Sequence, residues 1–169
     1  MCKPLRQSLL FLLLLLPVPA SAELPKGLRP VGEASLSFLW YDVYQARLFN
    51  LQGQYDGLKA PLVLQIIYRR EISHQVLIEQ TANQLKNKVP EAEMQLWLQE
   101  LAALWPDIRT DDQLTFHMKN ADSGDFYFNG QLLGNVEHPG FARAFINIWL
   151  ADDGRYSRMA KQLRGEADS

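Results

Sequence analysis

Tyr68-Arg69-Arg70 closes the strongest strand signal of the chain, residues 61–68, and Ser73, a residue suited to capping a helix, follows three positions later. A guanidinium at a strand end beside a helix amino terminus can hold a carboxylate by charge and by paired hydrogen bonds. The plainer role for these arginines is a solvated ion pair with Glu71 or Asp107. Tyr41 and Tyr44 lie among apolar neighbours earlier in the chain. A phenol facing a cleft between sheet and helices can orient a ligand; an ordinary packed tyrosine is the alternative. Other chemistry finds no foothold. His74, His117 and His138 each lack a second ligand-type residue at metal spacing. Asp111-Asp112, Asp122 with Asp125, and Asp152-Asp153 read as turn residues in loops, and Asp122-x-x-Asp125 does not match a calcium loop. There is no Gly-x-Ser-x-Gly and no phosphate-binding glycine loop. No catalytic residue, metal site or cofactor is assigned.

The elements that must position these residues follow from periodicity and turn chemistry. Residues 30–49 read as two strands, with Leu36, Phe38 and Trp40 alternating against Ser35, Ser37 and Leu39. Gly53, Gly57 and Pro61 mark a loop, and residues 61–68 form a central strand. Ser73 starts a helix that runs to about Lys88, with Val76, Leu77, Gln80 and Gln84 at three-four spacing. Pro90 separates it from a second helix over residues 91–105, whose stripe is Met94, Trp97, Leu98, Leu101 and Trp105. Residues 114–118 form a strand. Asn129-Gly130 between two apolar runs predicts a hairpin, because both residues tolerate the positive φ of a type I′ turn. Pro139 suits the first turn of a third helix carrying Phe141, Phe145, Ile148 and Trp149 on one face. A short helix over residues 156–164 closes the chain, and the tail from Gly165 is expected to fray. Strands and helices come in blocks, which argues α+β: an antiparallel sheet with helices on one face.

The amino terminus says where such a domain works. Lys3 and Arg6 precede an apolar run of eight residues, Leu9 to Leu16; Pro17 and Pro19 break it, and Ala20-Ser21-Ala22 offers a small-x-small cleavage site. This is the pattern of a secretory signal peptide, residues 1–22, too short to span a bilayer core that needs about 20 apolar residues. The expected mature chain, residues 23–169, is a single domain exported to the periplasm. Cys2 is the one cysteine and leaves with the signal, so the mature chain has neither a disulfide nor a thiol nucleophile. Losing Lys3 and Arg6 leaves 15 basic against 19 acidic residues, a formal charge of −4. That balance, without a basic block, gives no case for nucleic acid, and no second apolar run reaches membrane-spanning length.

Several stretches together resemble a known family. They are Val31-Gly32-Glu33-Ala34-x-Leu36-Ser37-x-Leu39, Val43-Tyr44-x-Ala46-x-Leu48-Phe49, and Pro61-Leu62-Val63-Leu64-x-Ile66-x-Tyr68-x-Arg70. Further on come Leu104-Trp105-Pro106-Asp107-Ile108, Asp112-x-Leu114-Thr115, Phe126-Tyr127-Phe128-Asn129-Gly130-x-x-x-Gly134, and Phe141-Ala142-Arg143-Ala144-Phe145-x-x-Ile148-Trp149-Leu150. In order and spacing these resemble the bacterial chalcone-isomerase-like proteins. The resemblance implies a broad antiparallel sheet backed by a helical layer, with a ligand cleft between them. In the plant enzymes of this fold, an arginine, a threonine, a tyrosine and an asparagine close a flavanone ring. Related members bind fatty acids without catalysis. Carried over by position, the arginine falls near Leu36 and the threonine near Tyr44. The tyrosine and asparagine fall near Ser73 and Gln80. None of the four residue types is kept, and without the cation nothing there would stabilise a chalcone phenolate.

The expected function is therefore binding: an exported domain holding a small apolar or amphipathic ligand, such as a fatty acid. Tyr44, Tyr68, Arg70 and Gln80 are the candidate ligand-binding residues, and Trp97, Phe145 and Trp149 line the cavity or fill the core. One alternative is an isomerase or lyase using Tyr44 as acid with Arg70 as charge stabiliser, which needs both in one pocket. Another is a structural or interaction protein of the cell envelope, which needs a fully packed sheet–helix interface.

Overall fold

A computed structural model describes residues 23–38, 40–152 and 156–166. The expected signal segment, residues 1–22, lies outside the described residues. The chain runs β1 (Arg29–Phe38), β2 (Tyr41–Asn50), β3 (Leu62–Tyr68), α1 (His74–Leu85), α2 (Glu91–Leu104), β4 (Gln113–Met118), β5 (Ser123–Phe128), β6 (Gln131–Glu137), α3 (Phe141–Leu150) and α4 (Ser157–Leu163). The six strands form one antiparallel sheet in the order β1-β2-β3-β4-β5-β6. The α+β expectation, an antiparallel sheet with a helical layer, holds.

Strand alternation decides which side chains meet the helices. Ala46 and Leu48 of β2, Leu62, Leu64, Ile66 and Tyr68 of β3, Leu114, Phe116 and Met118 of β4, and Phe126 of β5 join the core with residues of all four helices. The opposite face carries Gln45, Arg47, Gln65, Thr115, His117 and Asp125, the partners that alternate with these along the same register. Asp125 is a correction to the sequence reading. It sits inside β5 rather than in a loop, nine-tenths buried, 3.0 Å from Lys119 Nζ and 2.8 Å from the Asn135 amide that donates to it.

Local signals are mostly obeyed. Asn129 and Gly130 adopt φ of 50° and 81°, the values a type I′ hairpin requires. The α2 stripe is buried as its spacing predicts: Met94, Trp97, Leu98 and Leu101, with Trp105 just past the helix. Ser73 caps α1, its oxygen accepting from the Val76 amide at 3.4 Å. Some details differ. Helix α1 ends at Leu85, not Lys88, because Asn87 takes a left-handed φ of 64°. Helix α3 begins at Phe141, so Pro139 lies outside it; Gly140, at φ 72°, is the cap, and its amide donates to Asp122 Oδ1 at 2.7 Å. Gly165 is packed rather than frayed. At φ 69° it lies so close to the Val31 carbonyl that a Cβ would come within 2.6 Å of that oxygen.

Candidate functional site

The rim of the site is built where β3 ends. Arg69 N donates to the Val43 carbonyl at 2.9 Å, and Ile72 and Ile108 exchange both backbone hydrogen bonds at 3.0 and 2.8 Å. These ties fix residues 69–73 between the β2 edge and the chain leaving α2. His74 N then donates to Asp107 Oδ1 at 2.9 Å, with the His74 ring 3.0 Å from the same oxygen. These contacts, led by the backbone amide, hold the Asp107 carboxyl below the usual range. The expected pairing of the arginines is corrected here. Arg69 pairs with Asp111 at 2.7 Å, Asp107 serves His74, and Arg70 is exposed with no ion pair among the described residues.

Behind this rim lies a cavity of about 470 Å3 between the sheet and helices α1, α3 and α4. Its floor is Leu64, Ile66, Leu114, Phe116 and Phe126, all buried. Phe145, Ile148 and Trp149 of α3 close one side, while Val76, Leu77, Gln80, Thr81 and Gln84 of α1 close the other. A volume of this size is ordinary for a small-molecule site, and an apolar wall with a few polar groups is the usual lining. Tyr44, Tyr68, Arg70 and Gln80 all line it. So do Leu36, Tyr44, Ser73 and Gln80, the positions onto which the family resemblance carries the four isomerase residues. The positions onto which the resemblance carries those residues thus gather on one cavity wall, where this chain has Leu, Tyr, Ser and Gln.

Two tyrosines differ in what they can offer. The rings of Tyr44 and Tyr68 meet edge to face, 6.1 Å between centroids. Tyr44 is committed internally: Trp149 Nε1 donates to its oxygen at 3.0 Å, and its own hydroxyl donates to Met159 Sδ at 3.8 Å. It ties α3 and α4 to β2. The Tyr68 hydroxyl has no hydrogen-bond partner among the described residues, so its donor capacity is open. Burial pushes both phenols well above the ordinary tyrosine range, and the Trp149 hydrogen bond only partly offsets this for Tyr44. Both stay protonated as neutral donors.

Of the three aromatics expected to line the cavity or fill the core, Phe145 and Trp149 line it, while Trp97 packs against Phe141 at 5.4 Å. Sequence reasoning missed Met159 and Tyr156 of the last turn-and-helix segment, and Thr81 and Gln84 on α1. Gln84 sat in the predicted stripe; the other three carried no signal, because a cavity wall reads like ordinary core.

The solved structure of an Arabidopsis thaliana fatty-acid binding protein shares this architecture, with a TM-score of 0.61, 14% identity, and coverage of 85% of this chain and 90% of that one. An uncharacterized protein of Haemophilus influenzae is 29% identical over 142 residues, covering 83% of this chain and 70% of the relative. The sequence model of the chalcone isomerase-like family matches residues 32–165. The chain belongs to the chalcone isomerase-like family.

Proposed function

We propose that this protein is an exported, periplasmic chalcone-isomerase-like binding protein that holds a small apolar or amphipathic ligand, such as a fatty acid, without catalysis. The observation that carries the reading is the cavity itself: about 470 Å3, walled by aliphatic and aromatic side chains, with Tyr68, Arg70, Gln80 and Gln84 among its few polar groups. The likeness to a fatty-acid binding protein supports it, and the Lys3–Ala22 signal pattern supports the compartment. In this reading the chain of the ligand lies over Leu64, Ile66 and Phe116, and its polar end meets Arg70 at the rim.

The isomerase reading has its geometric condition met, since Tyr44 and Arg70 line one cavity. It is the weaker reading because the Tyr44 hydroxyl already donates to Met159 and its phenol is held above the ordinary range. The test is mass spectrometry of the organic extract of protein purified from the periplasm, together with thermal melting on addition of fatty acids of graded length. Co-purified lipid or a ligand-induced rise in Tm is expected; absence of both sinks the proposal.

A further inference from the structure

The turn joining β1 to β2 presents Trp40 and Tyr41, 88% and 64% exposed. An indole almost wholly in water and a phenol mostly so contribute little to the fold by burial. Their place relative to the cavity is fixed by register: Phe38 pairs with Tyr41, Ser37 with Asp42, and Leu36 with Tyr44. Leu36 and Tyr44 line the cavity, so Tyr41 stands three residues, about 10 Å of strand, beyond its wall. Across the opening, Val76 of the first turn of α1 lines the cavity and is itself 43% exposed. Three of the six exposed large apolar side chains among the described residues thus belong to the cavity end. The other three, Leu51, Leu96 and Leu132, are dispersed over the loop after β2, helix α2 and β6.

We propose that the Trp40–Tyr41 turn docks the cavity mouth onto the surface of a lipid bilayer. Tryptophan and tyrosine are the side chains that settle at a bilayer interface, apolar body toward the acyl region and polar tip toward water. No helix among the described residues is long and apolar enough to cross a membrane, so the contact is interfacial. This end carries no cationic patch: Arg69 is paired with Asp111, exposed Arg70 sits beside exposed Glu71, and Asp42, which accepts from Ser37 Oγ at 2.6 Å, leaves one net negative charge. Docking is therefore apolar in origin and weakly dependent on salt and on anionic lipid. An apolar ligand then passes between membrane and cavity without crossing open water. This last consequence rests on the cavity holding a lipid; the docking itself does not.

The experiment uses the purified protein with phosphatidylcholine vesicles, and a Trp40→Ala/Tyr41→Ala variant that leaves Trp97, Trp105 and Trp149 in place. Wild type is expected to float with the vesicles at both low and high salt, with a blue shift of tryptophan emission that brominated lipid quenches. The variant should partition about tenfold or more weaker, the loss expected from removing two interfacial aromatics. Its circular dichroism, and its affinity for a water-soluble fluorescent fatty-acid analogue measured without vesicles, should match wild type within about twofold, because neither residue lines the cavity. A wild type that stays free of vesicles while binding the analogue overturns docking and leaves the cavity reading standing, and points to a protein partner for the turn. A variant that floats as wild type does also overturns it. Vesicle binding without analogue binding keeps docking and removes the ligand.

Discussion

The two ends of the sheet–helix layer are packed to different standards. Under α2 and α3, Phe116, Phe126, Phe141 and Phe145 interlock with centroids 4.8 to 6.4 Å apart, and Trp105 closes on Phe126 at 5.5 Å. Under α1, over β2 to β5, the same layer is hollow, and Phe116, Phe126, Phe145 and Trp105 turn one side to each other and the other to the space. Helix α1 turns Val76, Gln80 and Gln84 to the space as well as Leu77, and a helix with glutamines on its inner side cannot collapse onto the floor without burying unpaired amides. The aromatic end holds the layers apart at a fixed spacing, and the α1 end uses that spacing as volume. A fold densely filled in one place and left open with a partly polar wall in another is what the proposed binding role requires.

This contrast can be broken by substitution, beginning with the dense end. Phe141→Ala removes a fully buried ring that meets four aromatic neighbours, and should cost about 3–5 kcal/mol in urea unfolding. A loss under about 1 kcal/mol would mean that end is not packed as described. Gly124→Ala puts a Cβ into the Phe116 ring and 3.0 Å from the His117 carbonyl; the expected loss is about 1–3 kcal/mol. At the hollow end, Leu77→Phe grows into free space, so stability should change by less than about 1.5 kcal/mol while ligand recovered by extraction falls sharply. An equal destabilisation at both ends would erase the distinction.

The smallest effects separate the two tyrosines. Tyr44→Phe strands the Trp149 indole N–H and should cost about 0.5–1.5 kcal/mol, whereas Tyr68→Phe removes a hydroxyl without a partner and should be near neutral in stability while weakening ligand binding. Alkaline pH reports on the same pair. Both phenols are raised in the folded state, so above the ordinary tyrosine value of about 10 the unfolded chain releases protons that the folded chain keeps. Stability is fully present below that value and falls as pH rises through it. The Tyr44→Phe/Tyr68→Phe double variant should flatten this decline in a denaturation series taken from pH 8 to about 11.

Much of this was legible in the sequence, for physical reasons that also mark its limits. The strands, the Asn129-Gly130 turn, the Ser73 cap and the α2 stripe are local events, written in side-chain period and in which residues tolerate positive φ. Tyr44, Tyr68, Arg70 and Gln80 could be grouped as one cavity wall because they lie on β2, at the end of β3 and on the helix that follows. What was not legible depends on contacts between distant segments. Arg69 and Asp111 are 42 positions apart, and nothing in either neighbourhood tells which acid an arginine meets. Tyr44 looked like a free anchor because its partners, Trp149 and Met159, lie 105 and 115 positions away. Trp97 and Trp149 have the same residue type on helices of similar pattern, yet one fills core and the other faces space. Volume is a property of side chains that do not meet, and no single residue encodes it.

Strand order has a consequence for how the protein is assembled. Each strand lies beside its neighbour in the chain, so hairpins can zip one after another with little loop-closure entropy, apart from the step from Tyr68 to Gln113 across the first two helices. The cavity does not share this locality. Its wall draws on Leu36 near the beginning and Met159 near the end, and the Tyr44 hydroxyl is the peg on which both closing helices hang. A chain arrested before residue 156 already holds every strand of the sheet and still has a chamber open along one side. The chamber is closed only when the last segment of the chain is in place.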